Sequence, residues 1–247
     1  GALTAAEAKW RYVMRVLSRR SILSSALLVG LLPSTALFAA DKPSTINIDW
    51  ATYNPVSMLL KEKGWLEEEF KKDGIGIRWV QTLGSNKAME FLNAGSIDFG
   101  STAGSAALVA KINGNPIKSI YVYSRPEWTA LVTRKDTNIK TVADLKGKSV
   151  AVTRGTDPHI FLVRALAEAK LTDKDVRFVL LQHPDGRTAL IRGDVDAWAG
   201  LDPMMAAAET DEGAVLFYRK PEANTWGILN VREEFAKEHP DTVARVL

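Results

Sequence analysis

Three times in this 247-residue chain a strand-like apolar run gives way to a turn of small polar residues and then a helix pattern. The turns are Gly84-Ser85-Asn86, Gly100 through Ser105, and Gly155-Thr156-Asp157. Parallel strands need crossover helices, so this alternation predicts a parallel-sheet α/β architecture. Ligands of such sheets bind beyond the carboxyl ends of the strands. Small residues there let a solute reach the backbone, and the first N–H groups of the next helix are free to donate to it. The same residue types also make tight turns and helix caps, Ser105 among them, so cap and ligand cradle stay open for each. Recurrence of the turn in both halves favours a cleft lined from two sides.

The pass along the chain gives strands at "INIDWA", "IGIRWVQTL", "SIDFGST", "IKSIYVYS" and "TALVTR", with helices between the first four. Asn54-Pro55 supplies an N-cap and first-turn proline for a helix that Gly64 breaks. After Arg134 the pattern restarts through "KSVAVTRG", "VRFVLLQ", "VDAWAG", "AVLFYRK" and "WGILNV". That restart predicts two similar lobes. A last helix pattern begins at Pro240 and stops without a cap, as in a C-terminally truncated chain.

The formal charge of +3 is local: residues 1–40 hold Lys9, Arg11, Arg15, Arg19 and Arg20 against Glu7, and without them it becomes −1. No electrostatic footprint for nucleic acid remains. "MRVLSRRSILSSALLVGLLPSTALFAA", Met14 to Ala40, has the basic front, apolar middle and small-residue end of a signal peptide. Ser18-Arg19-Arg20-Ser21-Ile22-Leu23 resembles a twin-arginine signal, and export by the Sec or Tat route stays open. An uncleaved anchor is the competing reading.

Enzyme signatures fail one by one. The chain has no cysteine, which removes disulfides, thiolate metal sites and a thiol nucleophile. Gly147-Lys148-Ser149 lacks the earlier glycine of a P-loop, Val142 standing there, and no Gly-x-Ser-x-Gly elbow exists. His159, His183 and His239 lack metal-ligand spacing. No metal and no cofactor are expected.

"LNAGSIDFGSTAGSAALVAKINGNPIK", "IKTVADLKGKSVAV" with "RGTDPHIFLVRALAEAKL", and "GDVDAWAGLDP" together resemble the periplasmic binding proteins for aliphatic sulfonates. These belong to a wider group serving nitrate, taurine and thiamine-precursor importers. The resemblance spans residues 45–247 and implies a two-lobed, type II Venus-flytrap protein that closes by a hinge and delivers its solute to an ABC importer permease. It implies lobe I at 41–134 plus 223–247 and lobe II at 135–222, with residues 1–40 as leader. A monomer is expected.

Carried over position by position, the resemblance offers Ser85, Asn86, Thr102, Ala103, Gly104 and Ser105 as lobe I contacts, with Tyr53 and Asn54 on the same rim. In lobe II it offers Thr156, Asp157, His159 and Asp202, with Trp226 near the hinge. Two departures stand out. A run of serines is replaced by Thr156-Asp157-Pro158-His159, and Leu201 replaces a Trp before Asp202-Pro203. Asp157 before Pro158 is expected to cap its helix and so occupy amides that an anion wants, with a role accepting a ligand amine or hydroxyl as the alternative. Trp128, Trp198 and Trp226 are expected as core residues or one apolar wall, and Arg125 and Arg154 as solvated or as anion partners.

The expected function is periplasmic binding of an aliphatic sulfonate or similar organic anion. The alternatives are taurine, nitrate or a thiamine precursor as ligand, or an enzyme or sensor on the same fold. The group includes a sulfinate hydrolase with a cysteine nucleophile, which this chain lacks, and a pyrimidine synthase that consumes its own histidine.

Overall fold

The computed structural model describes residues 42–247, so the leader expected at Met14–Ala40 lies outside the described residues. The first run of elements is β1 (Thr45–Trp50), α1 (Pro55–Lys63), α2 (Trp65–Phe70), β2 (Gly76–Gln81), α3 (Ser85–Asn93), β3 (Phe99–Ala103), α4 (Gly104–Ile112) and β4 (Ile117–Ser124). The second is β5 (Leu131–Thr133), β6 (Ser149–Val152), α5 (Asp157–Glu168), β7 (Arg177–Leu180), α6 (His183–Arg192), β8 (Ala197–Ala199), α7 (Met204–Glu212) and β9 (Val215–Tyr218). The chain then returns through β10 (Gly227–Arg232), α8 (Glu233–Glu238) and α9 (Pro240–Val246).

Local signals acted where they were strongest. The Asn54 side chain accepts from Ser57 N at 3.2 Å, Pro55 opens α1, and Gly64 at φ 64° ends α1 and starts α2. Only a residue without a Cβ adopts that left-handed turn freely.

Two five-stranded sheets result, in the orders β2-β1-β3-β10-β4 and β7-β6-β8-β5-β9. Each has four mutually parallel strands and one antiparallel strand, β10 or β5, in the fourth place. The expected all-parallel sheets are therefore mixed. The cause is the path of the chain: β5 and β10 each enter a sheet just after the chain has crossed from the other one. The strand Leu131–Thr133, expected in lobe I, is hydrogen-bonded inside the second sheet.

Strand alternation sends neighbouring residues to opposite faces. In the second sheet Leu131, Val150 and Val152 join the cluster of Phe161, Leu162 and Leu166 on one face. Val132, Ala151 and Trp198 join Leu190 and Met205 on the other. The first sheet packs Ile46, Ile48 and Phe99 against Phe70 and Phe235, each large side chain contributing about 2 kcal/mol by transfer from water. Among the described residues no helix is long and apolar enough to cross a membrane.

Candidate functional site

At the end of β1 a carboxylate organises the first sheet's rim. Asp49, fully buried, accepts from Ser101 N and Ser101 Oγ, both at 2.8 Å, and from Thr82 Oγ1 at 2.8 Å. Burial pushes its carboxyl up to about 6, against the opposing pull of those three donors. Tyr53 donates its hydroxyl to Ser101 O at 2.9 Å, and Asn54 Nδ2 donates to Ser101 Oγ at 2.8 Å. Both residues were expected on an open rim. They are buried and committed to holding the small-residue strand β3 in place. Sequence reasoning passed over Asp49; the signal was an acid inside the apolar run "INIDW".

The small residues that follow are also in use. Thr102 is buried with Oγ1 accepting from Asn230 Nδ2 at 2.7 Å, and Ala103 N donates to Ser85 Oγ at 3.0 Å. Gly104 N donates to Trp226 O at 2.8 Å and Ser105 N to Thr225 Oγ1 at 3.2 Å. Ser105 is not a cap: α4 begins one residue earlier, with Ala103 in the cap position.

Asp157 overturns its expected role. It is the first residue of α5, Thr156 holds the cap position, and neither side chain caps the helix. Thr156 Oγ1 instead donates to Thr153 O at 2.7 Å. The Asp157 carboxylate accepts from Ser105 Oγ at 2.6 Å, Trp128 Nε1 at 2.7 Å, Thr225 N at 3.1 Å and Thr225 Oγ1 at 3.1 Å. Four donors from three distant segments outcompete two local amides, because each bond to a buried carboxylate is charge-assisted. Asp157 therefore leaves the first-turn amides of α5 alone and joins the second sheet's helix to the first sheet's.

Two more contacts cross between the sheets. Gly84 holds the cap position of α3, and a Cβ built on it would lie 3.2 Å from Nε2 and Cδ2 of His183, the first residue of α6. A Cβ on Gly155 would lie 3.8 Å from that of Asn86. The backbone N–H groups of Ser85 and Asn86 make no hydrogen bond among the described residues, and Asn86 Oδ1 is buried without a partner. Thus the first two amides of α3 meet the second half unused, whereas the first two of α4, Gly104 N and Ser105 N, are bonded.

The remaining expected residues scatter. His159 is half-buried, its Nδ1 accepting from Gly155 N at 3.4 Å, and burial with nearby Arg154 pushes its pKa down. Asp202 accepts from Ala206 N at 3.0 Å in the first turn of α7, and burial pushes its carboxyl up. Leu201, standing where a Trp was expected, packs with Ala51, Tyr53, Ala103, Ala106 and Trp128. The three tryptophans form no common wall. Trp198 is in the second sheet's core, Trp128 is buried against Tyr53 in the first crossing segment, and Trp226 is 47% exposed beneath the Arg125 guanidinium. Arg154 is exposed at the end of its strand.

The site's chemistry is that of neutral donors, suited to holding a small polar or anionic group without a fixed countercharge. Comparison with known proteins identifies relatives of the whole fold. A protein of Escherichia coli (strain K12) named for binding aliphatic sulfonates is 35% identical over 191 residues, 76% of this chain and 59% of its own length. One of Bacillus subtilis (strain 168), named likewise, is 31% identical over 193 residues, 77% of this chain and 58% of its own. The chain thus spans under three fifths of these curated relatives. The alkanesulfonate-binding protein SsuA from Xanthomonas axonopodis pv. citri, solved bound to MOPS, superposes with a TM-score of 0.76 at 29% identity. That match covers 83% of this chain and 71% of SsuA. The two-sheet architecture is therefore the two-lobed periplasmic-binding-protein fold. Residues 57–247 match the family model described as NMT1/THI5 like, and the chain belongs to the NMT1/THI5-like family.

Proposed function

We propose that this chain is the periplasmic solute-binding component of an ABC importer, and that its solute is an aliphatic sulfonate or a similar small organic anion. One observation carries this: the first turn of α3 presents two unbonded backbone N–H groups, from Ser85 and Asn86, directly against the second half at Gly155 and His183. A helix N-terminus with open amides binds an anion, and neutral donors fit a permanently ionised sulfonate. The names of the sulfonate-binding relatives support the ligand class. On this reading the lobes divide at the two crossings, residues 125–130 and 219–226, and Met14–Ala40 is the export leader. Ser85, Asn86 and His159 are then the ligand-facing residues, while Tyr53, Asn54, Thr102, Ser105, Thr156 and Asp157 hold the frame.

The test is a thermal-shift titration of the purified protein with alkanesulfonates. Ligand at about a hundred times Kd stabilises by ~2.7 kcal/mol, a rise of roughly 5–11 °C in a domain of this size. No shift with millimolar alkanesulfonate, taurine or nitrate overturns the proposal.

A further inference from the structure

His183 opens α6, between Gln182 and Pro184. Its side chain is fully buried, yet neither Nδ1 nor Nε2 has a hydrogen-bond partner among the described residues. Burial pushes its pKa down to about 3, so the ring is neutral at pH 7. A neutral imidazole always carries one N–H and one bare nitrogen, and each is a hydrogen-bonding group that wants a partner when shut away from water. A histidine placed for core packing normally donates to a carbonyl. This one does not.

The His183 ring forms one wall of a contact between the lobes. It faces the first lobe at Gly84, where a Cβ would lie 3.2 Å from Nε2. The same point is 2.8 Å from Asn86 Oδ1, itself buried and unpartnered, and it stands at the head of α3 with its open amides. Glycine at 84 keeps a side chain out of the space between ring and helix end. The Ser105–Asp157–Thr225 contact makes the contrast: it also joins the lobes, and there every polar atom is matched.

We propose that His183 is a ligand contact, its imidazole closing from the second lobe to hydrogen-bond the anionic head group held on the N-terminal turn of α3. The inference rests on the binding function proposed above and adds a specificity-determining residue to it. Closure without solute strands the imidazole nitrogens and Asn86 Oδ1; closure on an oxyanion gives the ring N–H its acceptor. His183 thereby ties closing of the lobes to the presence of the solute.

The test compares wild type, His183→Leu and His183→Gln by calorimetric titration with ethanesulfonate and by melting of the unliganded proteins. Expected are an affinity at least tenfold weaker for His183→Leu, partial recovery in His183→Gln through its amide N–H, and an unliganded Tm for His183→Leu equal to or above wild type. A packing histidine gives the reverse, a lower Tm with unchanged affinity, and that result overturns the role. Should His183→Leu fail to fold, nitrogen NMR of the wild-type imidazole decides: ethanesulfonate must move the His183 ring resonances, and unmoved resonances at saturation refute the contact. No binding by wild type refutes the function itself. Intact binding in a folded His183→Leu refutes only the part assigned to His183.

Discussion

Replacing Asp157 by alanine removes one carboxylate and strands several donors at once. Trp128 Nε1, Thr225 N, Thr225 Oγ1 and Ser105 Oγ all lose their acceptor, at 2.7, 3.1, 3.1 and 2.6 Å. The hydroxyls of Ser105 and Thr225 rotate towards other acceptors, but the indole and the backbone amide have fixed directions. A buried donor left without a partner costs ~1–3 kcal/mol, so these two alone put the loss at about 4 kcal/mol. In a domain of 150–250 residues each kcal/mol is worth roughly 2–4 °C, which sets the fall in Tm at about 8–16 °C. Asp157→Asn keeps an oxygen for one side and turns an NH2 towards the other, so about half that loss is expected. The assay is thermal unfolding of the unliganded variants, with urea unfolding at constant slope as the check on two-state behaviour. A fall under about 1 kcal/mol for Asp157→Ala would refute the claim that this carboxylate, and not helix capping, joins the lobes.

Asp49 and His183 give opposite pH slopes. Asp49, raised to about 6, contributes stability that is full below its unfolded value and lost as pH rises through 6; His183, lowered to about 3, contributes stability that is full above its unfolded value and lost as pH falls towards 3. Each slope reaches ~1.4 kcal/mol per pH unit, so between pH 6 and 4 they nearly cancel. In urea titrations over that range Asp49→Asn is expected to expose the His183 slope, stability falling as pH falls, and His183→Leu to expose the opposite one, stability rising as pH falls. Gly84→Ala keeps an extended backbone, since φ there is 175°, but its Cβ would press Asn86 Oδ1 at 2.8 Å and the His183 ring at 3.2 Å. Weaker ethanesulfonate binding with stability within ~1 kcal/mol of wild type is expected, by calorimetry and melting. Asp98, 2% exposed, accepts from Asn47 N at 2.8 Å, Asn47 Nδ2 at 2.9 Å and Arg232 at 3.0 Å. Asp98→Ala leaves Arg232 half-buried and unpaired on that side, and a loss of ~3–5 kcal/mol is expected in urea unfolding at pH 7.

What the sequence made legible was what neighbours in the chain decide. Asn54, Pro55 and Gly64 act within one helical turn, so the start and break of α1 could be placed from them. The strand–helix alternation likewise needs only local period. Sheet order was not legible, because β5 and β10 find partners across gaps of dozens of residues and lie antiparallel there. The helix α8 was missed because its six residues anchor on Phe235 alone. Asp157 was misjudged for a related reason: the capping rule ranks the nearest amides, and Trp128, Ser105 and Thr225 are distant in sequence. Family spacing pointed to Ser85 and Asn86 at the lobe contact, but it also pointed to Tyr53, Asn54 and Thr102, whose polar atoms are spent on the protein's own frame. His183 was set aside for lacking metal-ligand spacing, although a His-Pro pair opening a helix straight after a strand marks a ring at a helix mouth.

The placement of β10 between β3 and β4 dictates an order of assembly. Threaded out amino end first, the chain can complete its second sheet by Tyr218, since every strand of that sheet lies within residues 131–218. The first sheet cannot: the backbone of β4 pairs with β10 alone, and β10 begins at Gly227. Until those residues emerge, β4 waits with an open edge of unpaired amides, the kind of surface on which nascent chains stick to one another. The half that starts the polypeptide is thus the half that matures last, and any escort for the newborn chain has its work there.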